Sequence, residues 1–210
     1  MASPQWLWFL SRGSGIVLLA LFTVVMALGA ATRLGWAPRR SARFVTAELH
    51  RTLSLFAVAL LGLHVVTALA DPYVSIGWAA TAIPFLSPYR TAAIGLGTLA
   101  TDLAAAVLLT SVFRHRLGLR TWRAVHWLAY LAWPAAFWHA LSAGSDLRTG
   151  WGAAVLWAMA AVATAAVAAR VWVAVAARVR VAVAARVWAR GRPTRPSRRQ
   201  VPAELTGVRR

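Results

Sequence analysis

The stretch HRTLSLFAVALLGLH, residues 50–64, begins and ends on histidine and holds almost only apolar side chains between. As a helix rising about 1.5 Å per residue it sets its two imidazoles about 21 Å apart, in a segment apolar enough to lie in lipid. A second stretch, HWLAYLAWPAAFWH at 126–139, repeats the arrangement one residue shorter. Ionisable side chains in spanning helices are costly, so four of them in matched pairs point to function.

The rest of the chain supports a lipid setting. Of 210 residues 60% are apolar and 12 are Trp, which is the composition of an integral membrane protein. Apolar segments near 7–31, 52–70, 91–113, 124–141 and 151–173 each have about the 17–25 residues that cross a hydrocarbon core. Lipid offers an exposed backbone no partner, so each is read as a helix. The expected fold is an all-α integral membrane bundle of about five transmembrane helices. Trp6, Trp8 and Phe9 read as an interfacial anchor, and no basic run precedes them, so the first segment is expected to be a retained span.

The formal net charge of +18 comes from 23 basic residues that are all Arg, and its distribution reports topology. Arg33, Arg39, Arg40, Arg43 and Arg51 separate spans one and two, Arg114, Arg116, Arg120 and Arg123 separate three and four, and eleven more follow from Arg170 onward. The alternate connections hold only Arg90 and Arg148, beside Asp71 and Asp146. By the positive-inside rule the N-terminus is outside and the C-terminus cytoplasmic. The charge is therefore not read as a nucleic-acid surface, and no nucleic acid is expected as a partner. The Arg and Ala bias suits a GC-rich bacterial genome, which places the expectation in a bacterial inner (cell) membrane. Cysteine is absent, so any metal must be held by His or oxygen.

The loop 71–90, with Pro72, Pro84 and Pro88, is expected to lie on the membrane surface as a short helix or turn. Behind the fifth span comes an eight-residue repeat, AVAARVWV, AVAARVRV, AVAARVWA, read as a basic cytoplasmic helical extension whose arginines attract anionic lipids. The expected domains are a membrane domain 1–173, the helical extension 174–190 and a disordered basic tail 191–210.

His50 and His64 fall on the second expected span and His126 and His139 on the fourth. Even-numbered spans run parallel, so His50 can face His126 and His64 can face His139. Each level offers two imidazoles and no carboxylate or thiolate. Zinc asks for three or four protein ligands; a heme brings four nitrogens and leaves two axial positions for imidazole. Fourteen residues bring an ideal helix to within about 40° of whole turns, so His50 and His64 share a face, whereas thirteen leave His126 and His139 about 140° apart. Pro134 lies between them, and a kink there is expected to re-aim His139. His115, in the basic turn FRHRLG, is read as solvated.

LSRGSG in the first span, HR followed by a second His 14 residues after the first, TSVFRHRLGLRTWRAVHWLAY entering the fourth span and WHALSAGSD after it resemble the ferric reductase-like transmembrane domain. That domain is the heme module of ferric reductases and NADPH oxidases, related to the heme subunit of the periplasmic methionine sulfoxide reductase system. The resemblance covers about residues 6–173. It implies two stacked b-type hemes, ligated by His50 with His126 and by His64 with His139, that carry single electrons across the membrane. No GxGxxG follows a predicted strand, so the chain resembles the stand-alone form, whose donor is a separate cytoplasmic flavoprotein reductase or a membrane quinol. The outer-side acceptor would be ferric iron, oxygen or a periplasmic partner.

Heme propionates need cationic partners. Arg51 and Arg123, beside the inner pair, and Arg12 and Arg90, near the outer pair, are the candidates. Asp102, the only acid within a span, is read as bonding a neighbouring helix. Trp127, Trp133 and Trp138 are expected to pack against heme faces or lipid, and Gly13, Gly15, Gly62, Gly95 and Gly97 to permit close approach. The function expected is electron transfer by a di-heme b-type cytochrome, an oxidoreductase component. The alternatives are a non-catalytic membrane anchor and a quinol-oxidising heme subunit of a periplasmic reductase.

Overall fold

Hydroxyl side chains inside apolar helices must find acceptors, and here the helix itself supplies them. Thr23 donates to Leu19 O at 2.8 Å, Ser54 to His50 O at 2.6 Å and Thr101 to Gly97 O at 2.9 Å, so each polar group is satisfied without breaking its helix. The computed structural model describes residues 5–34 and 40–190, with side chains except at 33–34, 40–43 and 189; the expected tail from 191 lies outside these residues. The described chain is helical and contains no strand: α1 (Gln5–Leu34), α2 (Arg40–Ala70), α3 (Thr91–Val112), α4 (Arg114–Leu117), α5 (Leu119–His126), α6 (Ala129–Ala143) and α7 (Gly150–Arg190). It divides into two compact units, up to Val171 and from Trp172.

Four of these helices, α1, α2, α3 and α7, are long and apolar enough to cross a membrane. The span expected at 124–141 is instead divided: α5 ends at His126 and the 15-residue α6 begins at Ala129. The break has a local cause. Trp127 N–H bonds Ala124 O at 3.3 Å, Leu128 N–H bonds Val125 O at 2.9 Å, and Tyr130 and Leu131 bond Trp127 O and Leu128 O, both at 3.0 Å. These are the i→i+3 bonds of a 3₁₀ turn, placed just ahead of Pro134, which has no N–H to contribute to an α ladder.

Helix α2 packs along α1 and α3 along α6, each pair antiparallel, and α1 also meets α6. The end carrying residues 5, 70–91 and 143–150 is termed the upper end, and the opposite one the lower. At the upper end the 71–90 loop folds back on α3: a 3₁₀ turn at Trp78–Thr81 is pinned by Thr98 Oγ1 donating to Ala80 O at 2.6 Å. Phe85, at φ 65°, covers Gly95, where any Cβ would collide with its ring. Trp78 is 80% exposed on this loop.

The eight-residue repeat is helical throughout, within α7, and from Trp172 onward its arginines Arg178 and Arg186 are exposed. The core of the first unit joins α1, α6 and α7 through Leu19, Met26, Trp133, Phe137, Leu156 and Ala163. Trp133 anchors it, stacking on Phe137 at 5.4 Å and donating Nε1–H to Thr23 Oγ1 at 2.9 Å.

Trp133→Ala is therefore expected to cost about 3–5 kcal/mol by leaving a cavity. Trp133→Phe keeps an aromatic ring against Phe137 and loses the hydrogen bond with part of the indole's volume, a smaller cost of about 1–3 kcal/mol. Thermal unfolding in detergent micelles measures both; equal or reversed costs would contradict this placing of the indole.

Candidate functional site

Helix α2 projects His50 and His64 from one face. His50 lies opposite His126 with ring centroids 6.3 Å apart and planes at 61°, and His64 lies opposite His139 at 6.2 Å and 81°. The two levels, separated by 14 residues on α2, are about 21 Å apart along the helix. The backbones of α2 and α6 do not pack closely, so the imidazoles face one another across a gap between helices. All four rings are half-buried.

The 13-residue mismatch is reduced at the 3₁₀ turn, which lies upstream of Pro134. A 3₁₀ residue turns about 120° where an α residue turns about 100°. Over the four residues with i→i+3 bonds this adds about 80°, bringing His126 and His139 from about 140° to about 60° apart. Overwinding of the turn before Pro134 thus supplies re-aiming that the sequence assigns to a kink at that residue.

Three of the rings have fixed protons. Nδ1 of His50 lies 2.9 Å from Val25 O, that of His64 2.7 Å from Ser11 O, and that of His139 2.7 Å from Ala93 O. A carbonyl only accepts, so in each case Nδ1 carries the hydrogen and donates. A neutral ring then holds its lone pair on Nε2, the state and orientation a metal-ligating histidine needs.

Each of these carbonyls belongs to the residue four before a glycine: Ser11 before Gly15, Val25 before Gly29, Ala93 before Gly97. A Cβ on Gly15 would sit 2.8 Å from His64 Cε1, on Gly29 3.2 Å from His50 Cε1, and on Gly97 2.7 Å from His139 Nδ1. The missing side chain is what lets the ring reach a carbonyl already inside a helix. Fourteen residues beyond Gly97 stands Ser111, whose hydroxyl donates to Val107 O at 2.7 Å and accepts Trp122 Nε1–H at 3.3 Å. The Trp122 ring lies 5.2 Å from that of His126, so the fourth histidine is supported by an indole.

A family model described as ferric reductase like transmembrane component matches residues 14–137. The chain belongs to the ferric reductase-like transmembrane family. Comparisons with curated proteins and with solved structures gave no match. Membership makes this a multi-pass membrane protein of a family that generally binds heme, and points to transmembrane electron transfer as its class of activity. His50, His64 and His126 fall inside the ferric reductase-like match; His139 lies two residues beyond it and is tied to the site by geometry alone.

The four arginines read as anion partners are placed differently. Arg12 lies 3.6 Å from Asp146, bonds Ser145 Oγ at 3.2 Å and stacks over Trp8 at 4.4 Å. Arg90 donates to Ser142 O and Ala143 O, both at 3.1 Å, and Arg148 donates to Leu141 O and Ser142 O at 2.9 and 2.8 Å. Arg90 and Arg148 thereby satisfy the last carbonyls of α6, one turn from His139. Arg51 and Arg123 are exposed and bond no described residue, as is His115. Asp102 makes no hydrogen bond to a neighbouring helix among the described residues, contrary to expectation. Trp133 belongs to the core, and Trp138 is exposed. Within the ferric reductase-like unit Gly15 and Gly97 do meet histidines and Gly95 meets Phe85, whereas Gly13 and Gly62 face open space. Gly29 was not foreseen, although Gly15 and Gly29 repeat the 14-residue interval of His50 and His64.

Gly15→Ala is predicted to displace the His64 ring from Ser11 O and cost about 1–3 kcal/mol. Gly13→Ala, two residues earlier with nothing within 4 Å of the added Cβ, is predicted to be neutral or stabilising by up to about 1 kcal/mol. Denaturant titration in micelles distinguishes them, and equal effects would contradict the glycine window.

Proposed function

We propose that this ferric reductase-like domain is a di-heme b-type cytochrome that passes single electrons across a membrane, one heme between His50 and His126 and one between His64 and His139. The observation that carries the reading is the equal spacing of the two pairs. Two metal–nitrogen bonds of about 2.0–2.1 Å and two five-membered rings of about 1.15 Å radius, given bonds near about 1.33 Å, add to about 6.3–6.5 Å between centroids. The rings stand at 6.3 and 6.2 Å. Among the described residues no cluster of three or more His, Asp or Glu occurs, so each level offers two nitrogens and suits a group that brings its own equatorial ligands.

A heme at each level would be held by one histidine pair and would supply a one-electron iron couple. The chain's own contributions follow from its bonds. The Nδ1–H donations to Ser11 O, Val25 O and Ala93 O hold the rings in one tautomer and one orientation and raise their basicity as ligands. The apolar helices keep water from both levels.

In this reading the lower end is cytoplasmic, because the sequences that link α1 to α2 and α3 to α6 are Arg-rich while the upper connections carry only Arg90 and Arg148. The group held by His50 and His126 would be the one nearer a flavoprotein reductase or quinol donor, and the group held by His64 and His139 the one nearer an outer-side acceptor such as ferric iron, oxygen or a periplasmic partner protein. The membrane is a bacterial inner membrane. The exposed arginines of α7 from Arg178 onward meet anionic headgroups.

Purified protein expressed with ample heme supply is expected to contain two hemes per chain by pyridine hemochrome assay. His64→Ala and His139→Ala are each expected to leave one, and His50→Ala and His126→Ala likewise. Heme-free wild-type protein would favour the membrane-anchor alternative, and loss of both hemes from one folded variant would refute the assignment by level.

A further inference from the structure

The first arginine of the eight-residue repeat does not behave like the others. Arg178 and Arg186 are exposed, but Arg170, which lies within the first unit, is half-buried with its guanidinium 4.7 Å from the centre of the Trp127 ring and 5.6 Å from that of Tyr130. Both rings belong to the 3₁₀ turn that follows His126. Arg170 Nε is buried and has no hydrogen bond among the described residues. Stacking on aromatic faces orients a guanidinium but uses none of its N–H donors. The one ion pair among the described residues, Arg12 with Asp146, lies at the upper end.

A buried cationic donor without an acceptor is costly, and a native chain retains one where something outside the polypeptide accepts from it. The planar fork of arginine matches the two oxygens of a carboxylate or phosphate. Stacking on Trp127, the residue next to His126, and on Tyr130 one turn further on places the guanidinium toward the lower end of the bundle. We propose that Arg170, clamped on Trp127 and Tyr130, is an oxyanion-binding residue at the lower end of the bundle. Its ligand chemistry is that of a propionate carboxylate on the lower heme or of a lipid phosphate. The propionate source rests on the heme reading above. Arg51 and Arg123, the candidates suggested by sequence, have no such stacked and buried setting.

The test uses the full chain, purified with heme, as wild type, Arg170→Gln and Arg170→Lys. Heme content of the wild type is measured first, so failure of the heme reading shows before any variant is compared. Reductive titration then resolves two components, the lower being the one absent from His50→Ala. Removing a cation disfavours the added electron, so with a propionate ligand Arg170→Gln should lower the lower component about tenfold in its reduction equilibrium, or about 59 mV for one electron. The upper component should stay unmoved, reporting an intact fold, and Arg170→Lys should shift the lower component less than half as far. Phospholipid phosphorus per chain is measured on the same samples, and in that case it is unchanged. If Arg170→Gln instead loses one phospholipid per chain while both components hold, the oxyanion is a headgroup. No change in either quantity, or an equal shift of both components, overturns the proposal. If the wild type holds no heme, the phosphorus measurement alone decides it.

Discussion

Within a spanning helix each carbonyl accepts one backbone N–H, and its second lone pair is screened by the side chain four residues on. At Gly15, Gly29 and Gly97 that screen is missing, and the Nδ1–H of His64, His50 and His139 takes the exposed lone pair. In a low-dielectric interior such a bond is strong and its loss costly. It fixes three consequences at once: which nitrogen carries the proton, which way the ring points, and how closely the two helices of each antiparallel pair approach. The facing of His50 with His126 and of His64 with His139 rests on these fixed rings.

The fold is accordingly two helical hairpins, α1 with α2 and α3 with the divided α5 and α6; α2 presents His64 and His50 over Gly15 and Gly29 of α1, α6 presents His139 over Gly97 of α3, and His126 stands at the end of α5. Where the pattern changes, at Ser111, the support changes with it: the serine hydroxyl accepts from Trp122, and Trp122 lies against His126. The hairpins are joined through α1, α6 and α7 by the Trp133 core, which leaves α2 and α6 facing across a gap rather than packed. A bundle closed there by apolar side chains would have no room for a flat ligand between its histidines.

Much of this was legible from residue spacing. A 14-residue interval keeps two side chains on one helix face, so the pairing of His50 with His64, and the matching of their levels to His126 and His139, needed only helical geometry. The divided helix was not legible, because Pro134 marks only that the α ladder is interrupted nearby and does not say that i→i+3 bonds would form at 124–131. Nor could composition tell Gly15 from Gly13: both are glycines of one helix, about 200° apart in phase, and only one meets a histidine. Arg170 was hidden for the opposite reason, since its repeat presents it as equivalent to Arg178 and Arg186, and only the rings of Trp127 and Tyr130 set it apart.

The central claim is that each facing histidine pair supplies both axial ligands to an iron porphyrin, and low-temperature electron paramagnetic resonance of the oxidised protein addresses it most directly. The account predicts two low-spin ferric signals and no high-spin component, with both signals of the strongly anisotropic kind expected when imidazole planes are far from parallel, as the 61° and 81° angles require. A high-spin signal from the intact protein would show an axial position not filled by imidazole and would contradict it.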